Sequence, residues 1–148
     1  MPPLYRKTGL AGTVGSTGQT GLTERDDERV IALTRDFGLV QKRRGHRYSV
    51  DDMLVAHLAC TWSVASPRRV LDLGCGLGSV MLVVGWAFRE ARLTGLEILA
   101  EHVALARRSI LLNGCEARVR VVAGDLRDRA LVESLGRFDL VTGSPPYF

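Results

Sequence analysis

At 148 residues the chain is one domain's worth of protein, and its 46% hydrophobic and 24% charged content places it among globular chains with a single core. No apolar run approaches the roughly 18 residues that cross a bilayer, which excludes a membrane helix, and Cys60, Cys75 and Cys115 form no Cys-x-x-Cys pair, which argues against a disulfide framework or zinc site and for a reducing, cytoplasmic setting. The net charge of +4 is carried by 18 arginines against Lys7 and Lys42; it fits a nucleic-acid partner, since guanidinium binds phosphate as a fork, although a GC-rich coding sequence produces the same bias.

Residues 1–22 read as a flexible leader: there is no acidic side chain before Glu24, and Thr8 to Gly21 holds five glycines without apolar periodicity. A second segment, 23–66, opens with Thr23-Glu24-Arg25-Asp26-Asp27-Glu28, which predicts a helix start with Thr23 as cap. Phe37 to Gln41 and Arg47 to Tyr48 read as short strands around a basic turn, and Lys42, Arg43, Arg44 and Arg47 form the candidate phosphate-contacting patch. Ser49-Val50-Asp51-Asp52 has the S-x-x-D pattern that opens a helix, here running to about Trp62, and Pro67 marks a boundary.

From 67 to 148 strands and helices alternate. Arg69 to Leu73 is a strand leading into a glycine turn, Ser79 to Glu90 is an apolar helix, and Arg92 to Leu96 is a second strand. Leu99, Val103, Ala106 and Ile110 make one helical stripe closed by Asn113-Gly114; Arg118 to Ala123 is a strand, Leu126 to Leu135 a helix, and Phe138 to Thr142 a fourth strand. Such alternation predicts an α/β fold, a parallel sheet with right-handed crossovers and helices on both faces. Ligands of these sheets bind beyond the carboxyl ends of the strands, where Asp72, Gly74, Glu97, Asp125 and Ser144 all fall. The three histidines share no metal-ligand spacing, so no metal is expected.

The turn Gly74-Cys75-Gly76-Leu77-Gly78 is G-x-G-x-G; a dinucleotide fingerprint needs glycine where Ser79 stands. Asp72 just before the turn would repel a pyrophosphate but suits an ammonium group near a sulfonium. Glu97 can accept ribose hydroxyls under either reading, while Asp125 can accept from an adenine amino group; Ser79, Asp72 and Asp125 together favour S-adenosylmethionine over a nicotinamide cofactor.

Asp72 to Gly78, Glu97, Gly124-Asp125-Leu126 and the terminal Ser144-Pro145-Pro146-Tyr147-Phe148 resemble the motif series of class I S-adenosylmethionine-dependent methyltransferases. Gly45-His46-Arg47-Tyr48-Ser49-Val50-Asp51 before a helix resembles the upstream segment of bacterial tRNA adenine-N6 methyltransferases, which act beside the anticodon of a valine tRNA. The resemblance covers about Phe37 to Phe148 and implies a Rossmann-like core truncated after the fourth strand, since a complete class I domain carries three more. It implies cofactor contacts from Tyr48, Asp51, Asp72, Gly74, Gly76, Gly78, Glu97, Asp125 and Leu126. It also implies a catalytic clamp in which the Ser144 side chain and Pro145 carbonyl accept from an exocyclic amine, Pro146 stiffens the loop, and Tyr147 stacks on the base for about 1–3 kcal/mol.

That family usually has asparagine where Ser144 stands. A hydroxyl is shorter and donates as well as accepts, and serine here is also similar to cytosine-N4 methyltransferases. The expected function is methyl transfer to adenine N6 in tRNA. Cytosine N4, a protein glutamine, or a non-catalytic binding module remain open, as do the target base and the oligomeric state.

Overall fold

The computed structural model describes residues 25–62 and 66–144. β1 (Glu28–Ala32) and β2 (Gly38–Lys42) form an antiparallel hairpin, and α1 (Val50–Trp62) follows. Four parallel strands then alternate with helices: β3 (Arg69–Leu73), α2 (Ser79–Ala87), β4 (Arg92–Glu97), α3 (Ala100–Leu112), β5 (Val119–Ala123), α4 (Arg129–Ser134) and β6 (Leu140–Gly143). The spatial order is β5-β4-β3-β6. The chain steps outward from β3 to β5, then crosses back to place β6 on the far side of β3. The carboxyl ends of β3 and β6 therefore flank the point where the winding reverses, where sheets of this kind open a crevice.

Strand side chains alternate between two cores, as a period of two requires. Val70, Leu93, Val119 and Val121 pack with α2, α3 and the hairpin residues Leu39 and Val40. Leu71, Leu96 and Leu135 face the other way, with Leu131, Val132 and Phe138 packed against them. Helices thus cover both faces, as the alternation predicted. α2 buries Val80, Met81, Leu82 and Val84, so its continuous apolar run marks a helix enclosed by neighbours rather than one with a solvent face.

A lone two-stranded hairpin is marginal in water, and this one is anchored by the polar side of α3. Ser109 Oγ accepts from Val40 N at 2.9 Å, and Asn113 pairs with both backbone groups of Gly38 at 2.8 Å each. Glu28, 1% exposed, is met by Arg108 at 2.9 Å, and Lys42 bridges to Glu101 at 2.9 Å.

Three expectations are corrected. Glu28, taken as part of a helix start, begins strand β1, because Val30 and Ile31 find a partner strand in Val40 and Leu39 and tertiary pairing overrides local capping chemistry; the proposed cap Thr23 lies outside the described residues. Arg47–Tyr48 is not a strand, since the hairpin closes earlier, at Thr34 to Phe37, where the Thr34 hydroxyl accepts from Phe37 N at 3.0 Å. α4 begins at Arg129 rather than Leu126, because the Asp128 carboxylate caps the backbone N–H of Leu131 and leaves Leu126 exposed in a turn. The 1–22 leader also falls outside the described residues.

Candidate active site

The glycine loop is a left-handed turn between β3 and α2. Gly74, Gly76 and Gly78 take φ of 64°, 53° and 85°, a region that side-chain-bearing residues avoid. A Cβ on Gly74 would meet nothing within 4 Å, so the loop's outer surface is open for a ligand to lie against the backbone. Its inner surface is closed: Gly95 of β4 lies so near that a Cβ there would stand 2.5 Å from Cys75 Sγ.

Asp72 lies beneath this loop and is 1% exposed. Thr142 of β6, its partner in the register, donates its hydroxyl to Oδ1 at 2.8 Å, while Oδ2 has no partner. Burial pushes its pKa up to about 6, against the pull of the Thr142 hydroxyl and the Met81 N–H, and the nearby Asp52 and Glu97 carboxylates push the same way. A buried carboxylate with an orphan oxygen calls for a donor, an ammonium directly or through a water.

Glu97 ends β4 and braces the loop. Oε2 accepts from Gly76 N at 2.9 Å and Oε1 from Leu99 N at 2.8 Å, ahead of α3. Each oxygen retains a further lone pair, so hydroxyl groups of a ligand can still bind. His102 Nδ1 lies 4.0 Å from Glu97 Oε1, and its ring stacks on His46 with centroids 5.0 Å apart. Burial holds the His102 pKa below the usual value, which keeps the ring neutral at pH 7. His46 Nε2 would lie 3.9 Å from a Cβ on Gly76, so this imidazole pair rims the loop.

The remaining sequence candidates fall into different settings. Asp125, just beyond β5, is gripped by Arg127 through contacts of 2.6 to 3.0 Å, which holds its pKa down at about 2. A ligand amine would share that carboxylate with the guanidinium. Leu126 beside it is 56% exposed. Asp51 is exposed on the first turn of α1; the neighbouring Asp52 faces inward instead, accepting from the Ser79 hydroxyl at 2.8 Å and from Ser49 N at 3.1 Å. Asp52 thereby ties the start of α1 to the start of α2. Tyr48 lines a cleft with Arg29 and Gln41 of the hairpin.

Ser144 follows β6 and is half-buried; Pro145, Pro146 and Tyr147 lie outside the described residues. The register sets Leu73 opposite Gly143, so the chain leaves β3 into Gly74 beside the point where it leaves β6 into Ser144. The sequence reading missed Asp52, Ser79, Thr142 and the His46–His102 stack. Only the S-x-x-D spacing hinted at Asp52, and no local pattern marks a threonine that matters through the strand beside it.

Two features suit S-adenosylmethionine: the orphan oxygen of Asp72 and the open, positive-φ surface over Gly74. Among the described residues no group of three or more His, Cys, Asp or Glu is placed to hold a metal ion, and no helix is long and apolar enough to cross a membrane.

Comparison with known proteins agrees with this geometry. Residues 70–145 match the methyltransferase domain family. The chain is 30% identical over 117 residues to the tRNA1(Val) (adenine(37)-N6)-methyltransferase of Porphyromonas gingivalis, covering 77% of this chain and 46% of that protein. It is 30% identical over 122 residues to the release factor glutamine methyltransferase of Chlorobaculum tepidum, covering 82% of this chain and 38% of that one. The chain therefore spans less than half the length of these curated relatives. The crystal structure of a SAM-dependent methyltransferase from Agrobacterium tumefaciens superposes on 88% of the chain and 45% of its own, with TM-score 0.66 at 19% identity, a likeness of fold. With the family match covering the glycine loop and running from β3 past the end of β6, the chain belongs to the methyltransferase domain family, on the class I S-adenosylmethionine-dependent fold.

Proposed function

We propose that this protein transfers the methyl group of S-adenosylmethionine to an exocyclic amino nitrogen of a nucleobase, with adenine N6 in a tRNA loop as the favoured target. The observation that carries the reading is the register of β3 against β6, which brings the glycine loop and Ser144 to adjacent positions on one rim although 70 residues separate Gly74 from Ser144.

When bound, S-adenosylmethionine supplies a methyl group made electrophilic by its sulfonium. The chain's own residues do the rest. The ionised Asp72 carboxylate would balance the ammonium of the amino-acid end, Glu97 would accept from the ribose hydroxyls, and the Gly74 and Gly76 backbone would let the ligand approach without a side chain in the way. The Ser144 hydroxyl and the Pro145 carbonyl accept from the two N–H bonds of the target amine. Its lone pair is otherwise delocalised into the ring, so these acceptors would aim it at the methyl carbon; the N–C bond forms as the S–C bond breaks, S-adenosylhomocysteine is the leaving group, and the surplus proton of the nitrogen passes to water. The rate gain comes from alignment and exclusion of water rather than from a general base. A base in a tRNA loop is already unstacked or easily flipped, which lowers the cost of presenting it.

The tRNA reading draws on the Porphyromonas relative and on the segment Gly45 to Asp51. A glutamine side chain is the second reading, favoured by the Chlorobaculum relative and by the same chemistry, a planar nitrogen with a delocalised lone pair. The test is methyl incorporation from radiolabelled S-adenosylmethionine into total tRNA and, in parallel, into a glutamine-bearing peptide. Labelled N6-methyladenosine in the nucleoside digest is the expected result. Label in the peptide alone would move the assignment to glutamine. S-adenosylhomocysteine binding without label in either would leave a binding module.

A further inference from the structure

The hairpin, the loop after it and the start of α1 enclose a cleft of about 380 Å³ lined by Arg29, Gln41, Arg47, Tyr48, Val50 and Met53, together with Ser49. Its two cations differ from four other basic groups around the hairpin. Lys42 is held between Asp27 and Glu101, Arg108 meets Glu28 at 2.9 Å, Arg89 meets Asp36 at 3.1 Å, and Arg43 donates to the Asp26 carbonyl at 3.2 Å. Three of these four are paired with carboxylates, so they are poor candidates for an anionic ligand. This also divides the basic patch read from the sequence: its Lys42 and Arg43 are already engaged, while Arg47 faces the cleft.

Arg29 is anchored differently. Its surroundings orient the Gln41 amide oxygen toward it, accepting from Nε at 3.1 Å and Nη2 at 3.0 Å. Gln41 is 1% exposed, so Arg29 is positioned by a buried group that carries no charge. A carboxylate in that place would cancel the guanidinium; an amide fixes its direction and leaves the full positive charge, with other N–H donors free for a ligand. Arg47 is exposed and has no carboxylate partner among the described residues. Tyr48 and Ser49 line the same cleft as the two cations. Two unneutralised guanidinium groups beside an aromatic face are the chemistry of a phosphodiester with its neighbouring base.

The cleft is also in the right place. His46 rims the glycine loop, and Arg47 is the next residue, about 3.8 Å further along the backbone. The geometry points to this cleft as the site that grips the backbone of a single-stranded nucleic acid next to the target base, with Arg29 and Arg47 on phosphate and Tyr48 against a flanking base. This assignment rests on the nucleic-acid reading above and names where on the protein the substrate strand is held.

The experiment measures binding of a fluorescein-labelled single-stranded RNA to the full chain, saturated with S-adenosylhomocysteine, over a series of salt concentrations. For Arg29→Gln/Arg47→Gln the expected result is a loss of about tenfold in affinity at 0.1 M salt, alike for unrelated sequences, and a log–log salt slope shallower by about 1.4. S-adenosylhomocysteine affinity stays at the wild-type value. Arg47→Gln alone, on an exposed side chain, gives half the slope change and guards against misfolding of the double variant. Lys42→Gln removes the same charge from a cation already paired and leaves the slope unchanged. RNA binding that is intact in the double variant, with an unchanged slope, overturns the cleft and leaves the proposed function standing. An equal loss with Lys42→Gln overturns it too, as an effect of net charge alone. If the wild-type protein, loaded with S-adenosylhomocysteine, binds no RNA at any salt, the nucleic-acid reading fails and the cleft with it.

Discussion

The parallel sheet and the hairpin are held together by different means. β3 lies between β4 and β6 with backbone ladders on both edges and apolar side chains on both faces. The hairpin has one ladder, between β1 and β2, and borrows the rest from α3, where Ser109 and Asn113 satisfy backbone groups of β2. Segments whose hydrogen bonds are made by neighbouring backbone announce themselves through apolar runs. Segments completed by distant side chains do not; the helix start read from the sequence failed at Glu28 because that residue enters the β1–β2 ladder instead.

The sharpest test of the sheet half is Asp72. Replacing it with Asn removes the charge proposed to pair with the ligand's ammonium group, and affinity for S-adenosylhomocysteine by titration calorimetry should fall about 100-fold, the scale of a lost charge-assisted bond. Stability should move the other way. Because burial raises the Asp72 pKa to about 6 from an ordinary 3.8, the folded protein keeps this proton over a range where the unfolded chain has released it. Wild-type stability therefore carries a loss on the order of 3 kcal/mol as pH rises from about 4 to 6, and urea unfolding of Asp72→Asn should lack that slope. Cofactor affinity of the wild type should rise over the same interval as Asp72 ionises. A wild type with flat affinity from pH 5 to 7 would remove Asp72 from the cofactor's partners.

Gly95→Ala tests the inner wall of the loop. The added carbon would stand 2.5 Å from Cys75 Sγ and 3.0 Å from its Cβ, and Cys75 has no long side chain to swing aside. We expect a cost of about 1–3 kcal/mol and a loop pushed outward, seen as weaker S-adenosylhomocysteine binding. Wild-type stability in this variant would mean that the loop is looser than the strand beneath it.

Asn113→Ala tests the hairpin. It removes the bonds to Gly38 N and Gly38 O and leaves backbone groups of β2 unpaired, at a cost of about 2 kcal/mol. Hydrogen exchange should quicken at 38–42 and stay slow in β3 and β4. Exchange quickening equally in both sheets would mean that they open as one unit. Lys42→Met belongs at the bottom of the scale: its partners Asp27 and Glu101 are exposed, and thermal unfolding should show no measurable change.

Much of the architecture could be read along the chain. Strand–helix alternation predicted the α/β fold, and the expected segments at Arg69–Leu73, Arg92–Leu96 and Arg118–Ala123 match β3, β4 and β5 to within a residue or two. The stripe in α3 was right at Val103, Ala106 and Ile110, which are buried; Leu99 is 53% exposed because it precedes the first turn as its cap. At the site, the positions of Asp72 and Glu97 at strand ends were legible from spacing. The pairing of Asp125 with Arg127, the inward turn of Asp52 and the imidazole stack were not, because each depends on where a side chain points rather than on where it stands in the sequence.

Local rules alone determined the element types of the parallel-sheet half and the glycine turn, since backbone dihedral preferences and side-chain periodicity act over a few residues. Only the tertiary structure decided that β6 pairs with β3. That one choice puts Thr142 against Asp72 and Ser144 beside the glycine loop. Strand order is a competition among burial and hydrogen-bonding alternatives across the whole chain, and it leaves no mark at any single position in the sequence.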